Sequence, residues 1–399
     1  MKSFVKIIGA LMLLFGVGSF ARAELTIDVT KGIEGGGIPI AIAPFGGGAP
    51  EDIAGTIAAD LQRTGKFAPQ SSGSPADYSV TGQAQPGGSR GYVVQFQLNG
   101  AQGSQLLNLS FDVPANQLRP VAHRISDLIY EKITGERGLA GTRIAYVAGG
   151  GGSWYLVVAD ADGQNPRMIL RSGQPIMSPA WSPDGARLAY VSFEGRRPQI
   201  VVQDVYNGGR RVVSAAPGIN GAPSWSPDGR RLAFTLSKDG NPEIYALDLA
   251  AQNPVRLTSS GSIDTEPVWL PDGSIVFTSD RGGSPQLYRI GSGGGAAQRL
   301  TFEGDYNARP SVSPDGRYIA MVHRRGGRFH IAALDLQTRQ FRVLTAGGLD
   351  ESPSFAPNGK MIIYSNGQRL TAVSVDGSIK QDFALRGNGR DPVWAPYGR

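Results

Sequence analysis

Cysteine is absent from the 399 residues, and histidine occurs only three times. Without cysteine there is no thiol nucleophile, no iron–sulfur cluster and no thiolate zinc site. An oxidising compartment permits disulfides but does not require them. His123 falls in a helical pattern, and His323 and His330 bracket one loop. None has a carboxylate partner in register, so no metal is expected. The chain reads as lacking both the HExxH helix of a metalloprotease and the strand–turn–helix nucleophile elbow of a serine hydrolase. "FGGGAPED" (45–52) follows a strand and precedes a helix, the place for a phosphate loop. It has neither GxxxxGK[ST] nor GxGxxG spacing, and no cofactor is expected. "AGGGGSW" (148–154) and "GSGGG" (291–295) read as flexible connections.

Long apolar runs are also scarce. The one that stands out, Ile7 to Phe20, follows Lys2 and Lys6 and precedes "ARA" (21–23). It is shorter than the ~20 residues of a membrane span. A signal peptide over 1–23, cleaved after Ala23, is the expected reading, with no membrane span in the mature form. Loss of Lys2, Lys6 and Arg22 leaves 36 Lys+Arg against 33 Asp+Glu. So mild a balance does not supply the concentrated basic face that nucleic acid requires. The nearest approach to one, "HRRGGRF" (323–329), reads as a solvated loop.

What the chain has in excess is glycine and proline, 56 and 27 residues, and they recur in a pattern. "PAWSPDGARLAY" begins at Pro179, "PSWSPDGRRLAF" at Pro223, "PVWLPDGSIVF" at Pro267, "PSVSPDGRYIAM" at Pro310, "PSFAPNGKMIIY" at Pro353 and "PVWAPYGR" at Pro392, at intervals of 44, 44, 43, 43 and 39 residues. A fixed period of this length marks one supersecondary unit, repeated. Pro, Asp and Gly each suit a tight hairpin, and the residues around them suit strands. Asp228 is therefore read as a turn residue, like Asp184, Asp272, Asp315 and Asn358. Each period holds four apolar runs, such as 223–225, 231–236, 243–249 and 255–258. That is the arithmetic of a propeller blade. Residues 142–170 supply only three strands, and the terminal "DPVWAPYGR" supplies one. Together they make a sixth blade that closes the ring and removes the open edge. The fold class expected is mainly β, a six-bladed β-propeller over 142–399 behind a small α+β domain.

That smaller domain, 24–134, lacks the repeat. "ELTIDV" (24–29) and "IPIAIAPF" (38–45) read as strands, as do "DYSVTG", "GYVVQFQLN" and "LLNLSFDV". A helix is predicted over 50–65, with Ile53, Ile57 and Leu61 inward, and a second over 116–135. "GERGLAG" (135–141) is the expected linker.

In a four-stranded blade, the loops joining one blade to the next leave on the same face as the loops between strands two and three. The SPDG turns lie on the other face. Here the turns repeat while the joining loops vary, and specific binding needs variation. The expected partner site is therefore this propeller mouth, with Asn220, Ala222, Asp264, Thr265, Glu266, Asp305, Tyr306, Asn307, Asp350 and Glu351. The N-terminal segment, with Glu24, Leu25, Ile27 and Val29 before three glycines, reads as an arm able to add to a sheet edge.

A signal peptide, an α+β domain of about 110 residues and six blades with "WSPDG" turns resemble the TolB family over the whole chain. "NGAPSWSPDGRRLAFTLSKDGNPEIY" (220–245) and "RLTSSGSIDTEPVWLPDGSIVFTSDRGGSPQLYRI" (256–290) are similar to it residue by residue. The resemblance implies a non-enzymatic periplasmic scaffold of the Tol-Pal system. In that reading the lipoprotein Pal binds the mouth and TolA binds the N-terminal arm, with other outer-membrane lipoproteins or porins as further partners. The function implied is outer-membrane invagination during division and outer-membrane integrity. The chain departs from the family at Ile219, where the resemblance implies a His before Asn220, so that polar contact is missing. The alternative is the propeller of a periplasmic prolyl-oligopeptidase-like or ligand-binding protein. An oligopeptidase would carry a catalytic domain after the propeller, whereas this sequence stops inside its closing strand.

Overall fold

The computed structural model describes residues 36–383 and 388–398; the signal peptide, Ala23 and the arm residues Glu24, Leu25, Ile27 and Val29 lie outside them. Among the described residues no helix is long and apolar enough to cross a membrane.

The first unit is a five-stranded sheet with two helices. Its elements are β1 (Ile38–Ile42), α1 (Ile53–Arg63), β2 (Phe67–Ser71), β3 (Tyr78–Gly87), β4 (Gly91–Asn99), β5 (Gln105–Val113) and α2 (Leu118–Thr134). The strand order is β2-β1-β3-β4-β5, with β1 parallel to both neighbours and the remaining pairs antiparallel. The sequence reading has no strand at β2, because "FAPQS" lacks alternation. The strand forms because its backbone pairs with β1 from Ile38↔Phe67 to Ile42↔Ser71. The predicted helices are present but shorter. Asp52 caps α1 by accepting from the Gly55 N–H at 2.9 Å. The positive end of that helix is thus already satisfied by the chain's own carboxylate. Gly135, at φ 73°, ends α2 in a left-handed cap. The stripes Ile53, Ile57, Leu61 and Leu118, Ile125, Ile129 are buried against Ile40, Val80 and Phe96. Burying each such side chain contributes about 1.5–3 kcal/mol.

The rest is six four-stranded sheets. Blade 1 combines Gly389–Trp394 with Arg143–Gly150, Ser153–Asp160 and Arg167–Ser172. Blades 2 to 6 begin at Ile176, Asn220, Asp264, Asn307 and Glu351. In each, the strands pair in chain order, first strand innermost. Ring closure runs through Trp394↔Ile144, Val393↔Ala145 and Gly389↔Ala148. Second and third strands such as Arg231–Leu236 are buried on both faces, because adjacent blades pack face to face. One staple recurs between blades. Arg143, Arg187 and Arg231 lie 5.1, 4.7 and 4.7 Å over the rings of Trp181, Trp225 and Trp269 on the following blade.

Asp228 belongs to its turn. It accepts from Ser226 Oγ and from the Arg230 N–H, and Ser226 Oγ in turn accepts from the Arg231 N–H. Ser182 with Asp184 and Ser313 with Asp315 repeat the arrangement. The Ser226 hydroxyl holds the Asp228 carboxyl below its usual range.

The smaller unit packs on the turn face, across blades 6 and 1. Arg119 pairs with Asp162, Gln381 donates to the Arg63 carbonyl, Glu136 reaches Lys360, and Arg137 lies 3.7 Å over the Tyr397 ring. The mouth face points the other way.

Candidate partner-binding face

Each first strand carries a proline preceded by a residue in the left-handed region. Ser178, Ala222, Glu266, Arg309, Ser352 and Asp391 have φ between 46° and 57°. Left-handed backbone is disfavoured for non-glycine residues, and more so before proline. A register shift accompanies each of them. Such bulges re-aim side chains, and here these residues line a central channel of about 600 Å³.

The channel lining is an ion network. Arg309 lies 3.4 Å from Glu266 and 3.3 Å from Asp391, and it donates to Ser352 Oγ. Glu266 also accepts from Thr278 Oγ1 and from the Arg309 N–H, both at 2.9 Å. Asp391 accepts from Ser352 Oγ at 2.8 Å and from the Ser178 N–H at 3.2 Å. Blades 4, 5, 6, 1 and 2 are tied together across the ring.

The joining loops divide into buried polar and exposed apolar positions. Asn220, Asp264, Asn307 and Asp350 are at most 1% exposed. Asn220 accepts from Ser214 Oγ and returns a bond to the Ala216 carbonyl. Asp264 pairs with Arg281 at 2.7 Å, Asn307 donates to Gln286 and to the Glu303 carbonyl, and Asp350 accepts from Thr345. These four are buried and hold their own loops. Ala222 and Glu266 face the channel, and Thr265 pairs with Thr235 at 3.2 Å. Asp305 is exposed but holds Arg324, Tyr306 leans on Phe329, and Glu351 is exposed.

The residues that the mouth presents stand beside these. Ile219, Ile263 and Leu349 each immediately precede a buried Asn or Asp, and they are 46, 49 and 66% exposed; Phe302 is 68% exposed. The signal for them was available: a bulky apolar residue before the polar one, in a loop where nothing else requires it. Ile219 thus marks a surface of different chemistry, apolar where a His is implied.

Other chemistry is structural. Asp60, His123 and Asp162 bring three ligand-type atoms within 4.8 Å of one another. Arg119 and Arg63 already lie against these carboxylates. Burial alone would lower the His123 pKa, but the Asp160 and Asp60 carboxylates outweigh it and push it up to about 9. The imidazolium and guanidinium groups supply the positive charge that a metal would otherwise provide. The G-x-S-x-G spacing does occur, at 87–91, but at the tip of the β3–β4 hairpin, where Ser89 donates to Asp112. No helix follows it, so it is not a nucleophile elbow. His323 contacts Asn307 at 2.9 Å. Burial first, and then the charges of His330 and Arg325, lower its pKa.

A family model described as "TolB beta propeller domain" matches residues 130–398, and one described as "TolB amino-terminal domain" matches 25–75. The Tol-Pal system protein TolB of Thioalkalivibrio sulfidiphilus is 54% identical, over 98% of this chain and 98% of its own length. That of Nitrosococcus oceani is 52% identical over 99% of each. The crystal structure of TolB from Acinetobacter baumannii aligns with a TM-score of 0.87 at 41% identity, covering 94% of this chain and all of that one.

Proposed function

The chain belongs to the TolB family of Tol-Pal system components, and from that premise we propose that it is a periplasmic, non-enzymatic scaffold that seats Pal on the propeller mouth. Export with cleavage after Ala23 brings it to that compartment, and the segment from Glu24 to Val29 engages TolA. The two contacts together support outer-membrane invagination during division and outer-membrane integrity.

One observation carries the reading of the mouth. The turn face is covered over blades 1 and 6, while the opposite face presents Ile219, Ile263, Phe302 and Leu349 beside buried polar residues such as Asn220 and Asp264. An apolar patch rimmed by polar residues marks a protein-binding surface. Truncating a well-seated apolar anchor commonly costs about 2 kcal/mol or more. Calorimetric titration with the soluble Pal domain tests this. Ile219→Asp and Leu349→Asp are expected to weaken binding at least ~30-fold, the equivalent of about 2 kcal/mol. Asp228→Asn, on the turn face, is expected to leave it unchanged. Loss of binding in Asp228→Asn with normal binding in the mouth variants would place the site on the other face. Glu266→Lys is a poor probe, because it sets a second cation against Arg309 and disturbs the channel itself.

A further inference from the structure

The hairpin formed by the two middle strands of blade 5, Tyr318–Arg325 with Arg328–Asp335, carries a charge arrangement that the fold does not use. Arg325 is registered directly opposite Arg328, and His323 directly opposite His330. Residues opposite one another share a face of the ladder, so both pairs lie on one side of the hairpin. Like charges directly opposite are destabilising. The other side is balanced, with Arg324 held by Asp305 at 2.7 Å and lying over the Tyr306 ring, which meets Phe329 edge-on. Arg325 and Arg328 are exposed, and among the described residues neither has an ion-pair partner. Of the acids on the adjoining loop, Asp305 is engaged by Arg324, and Glu303 accepts from the Phe302 N–H at 3.3 Å.

The position of this unbalanced pair is informative. The Phe329 N–H donates to the Gly348 carbonyl at 3.1 Å, and the Asp350 N–H donates to the Phe329 carbonyl at 3.2 Å. The hairpin is therefore bonded to the loop that presents Leu349, and its guanidinium groups flank the apolar collar. We propose that Arg325 and Arg328 form an anion-binding clamp on the rim of the mouth, which takes a carboxylate-bearing segment of the folded partner seated there. A guanidinium fork is suited to bidentate carboxylate pairing, and an acidic segment relieves the Arg–Arg repulsion as it docks. The apolar neighbour Leu349 favours a protein over a lipid surface, because one partner then meets both features. This rests on the reading of the mouth as the Pal site.

The test uses the mature protein and the soluble Pal domain, with affinity measured at about 0.05 M and about 0.3 M salt, which differ in electrostatic screening. In the double variant Arg325→Glu with Arg328→Glu, binding at low salt is expected to weaken by roughly tenfold or more, with the salt dependence much reduced. Arg325→Gln with Arg328→Gln should fall between that variant and wild type. The melting temperature should not fall in the Gln pair, which removes the repulsion, and should stay near wild type in the Glu pair, which exchanges one like-charge pair for another. Unchanged affinity and salt dependence in both variants, with Leu349→Asp still impaired, would overturn the clamp and leave the mouth reading intact. If wild type fails to bind the Pal domain, the mouth reading fails and the clamp with it. Phosphatidylglycerol vesicles that sediment the wild type but not the variants, with Pal affinity unchanged, would identify a lipid anion and also overturn the proposal.

Discussion

Asn220 and Ile219 are neighbours with opposite fates, 0% and 46% exposed. The sequence made Asn220 look like the contact and Ile219 like a departure. The polar residue is inside because a loop that turns sharply leaves backbone groups to satisfy, and a short amide does so locally. Asp264, Asn307 and Asp350 follow the same logic, so loop polarity alone could not separate scaffold from surface. The Asp60–His123 pair shows the same limit. It is 2.7 Å long and fully buried, but its partners are 63 residues apart. Because His123 is raised, its contribution to stability is complete below its ordinary value of 6.5 and is lost as pH rises through about 9. Asp60 is lowered: burial opposes this, and His123 outweighs it. Its contribution is present above its ordinary value of 3.8 and is lost in acid. Thermal denaturation of His123→Gln should therefore show a melting temperature that no longer declines between pH 6.5 and 9. At pH 6 the loss should be about 1.5–3 kcal/mol, since Asp60 keeps Arg63 and Ser126 but loses a buried charged hydrogen-bond partner. An unaltered alkaline decline would show that another group is responsible.

At the scale of elements, the 43–44-residue period made the blades legible, because four strands per repeat leave few architectures. The innermost strands begin three residues earlier than the apolar run suggests, at Asn220 and not Pro223. The missing piece is the bulge at Ala222, whose left-handed backbone no alternation pattern announces. Strand β2 was hidden for a related reason: its pairing with β1 is tertiary. Ring closure, by contrast, followed from counting strands at the two ends. Deleting residues 389–399 removes one strand, but it also removes Trp394, which is 8% exposed and bonded to Thr142, and Asp391, which anchors the channel network. Loss of a buried aromatic typically costs ~3–5 kcal/mol, and the strand Arg143–Gly150 would become an open edge. Calorimetry should show the propeller transition shifted down by about 10 °C or more. A deletion that melts with the full-length protein would contradict closure by the terminal strand.

At the scale of the molecule, the proposal gives two partners separate sites, the mouth and the N-terminal segment. The segment 24–33 reads as the arm for TolA. Its deletion should abolish TolA binding while leaving Pal affinity and melting temperature nearly unchanged; a large drop in melting temperature would make it an integral strand. The Tol-Pal assignment was legible in the sequence because the blades and the smaller unit occur together in one chain. The mouth was the expected face from loop variation alone; the structure adds that the smaller unit packs on the turn side through Arg119, Gln381 and Arg137. The most direct measurement is amide hydrogen exchange of the mature protein with and without the soluble Pal domain. Docking on the mouth predicts new protection in the joining loops around Ile219, Ile263, Phe302 and Leu349, with the turns at Asp184, Asp228, Asp272 and Asp315 unchanged. Protection confined to those turns, with the joining loops exchanging as in the free protein, would contradict the account.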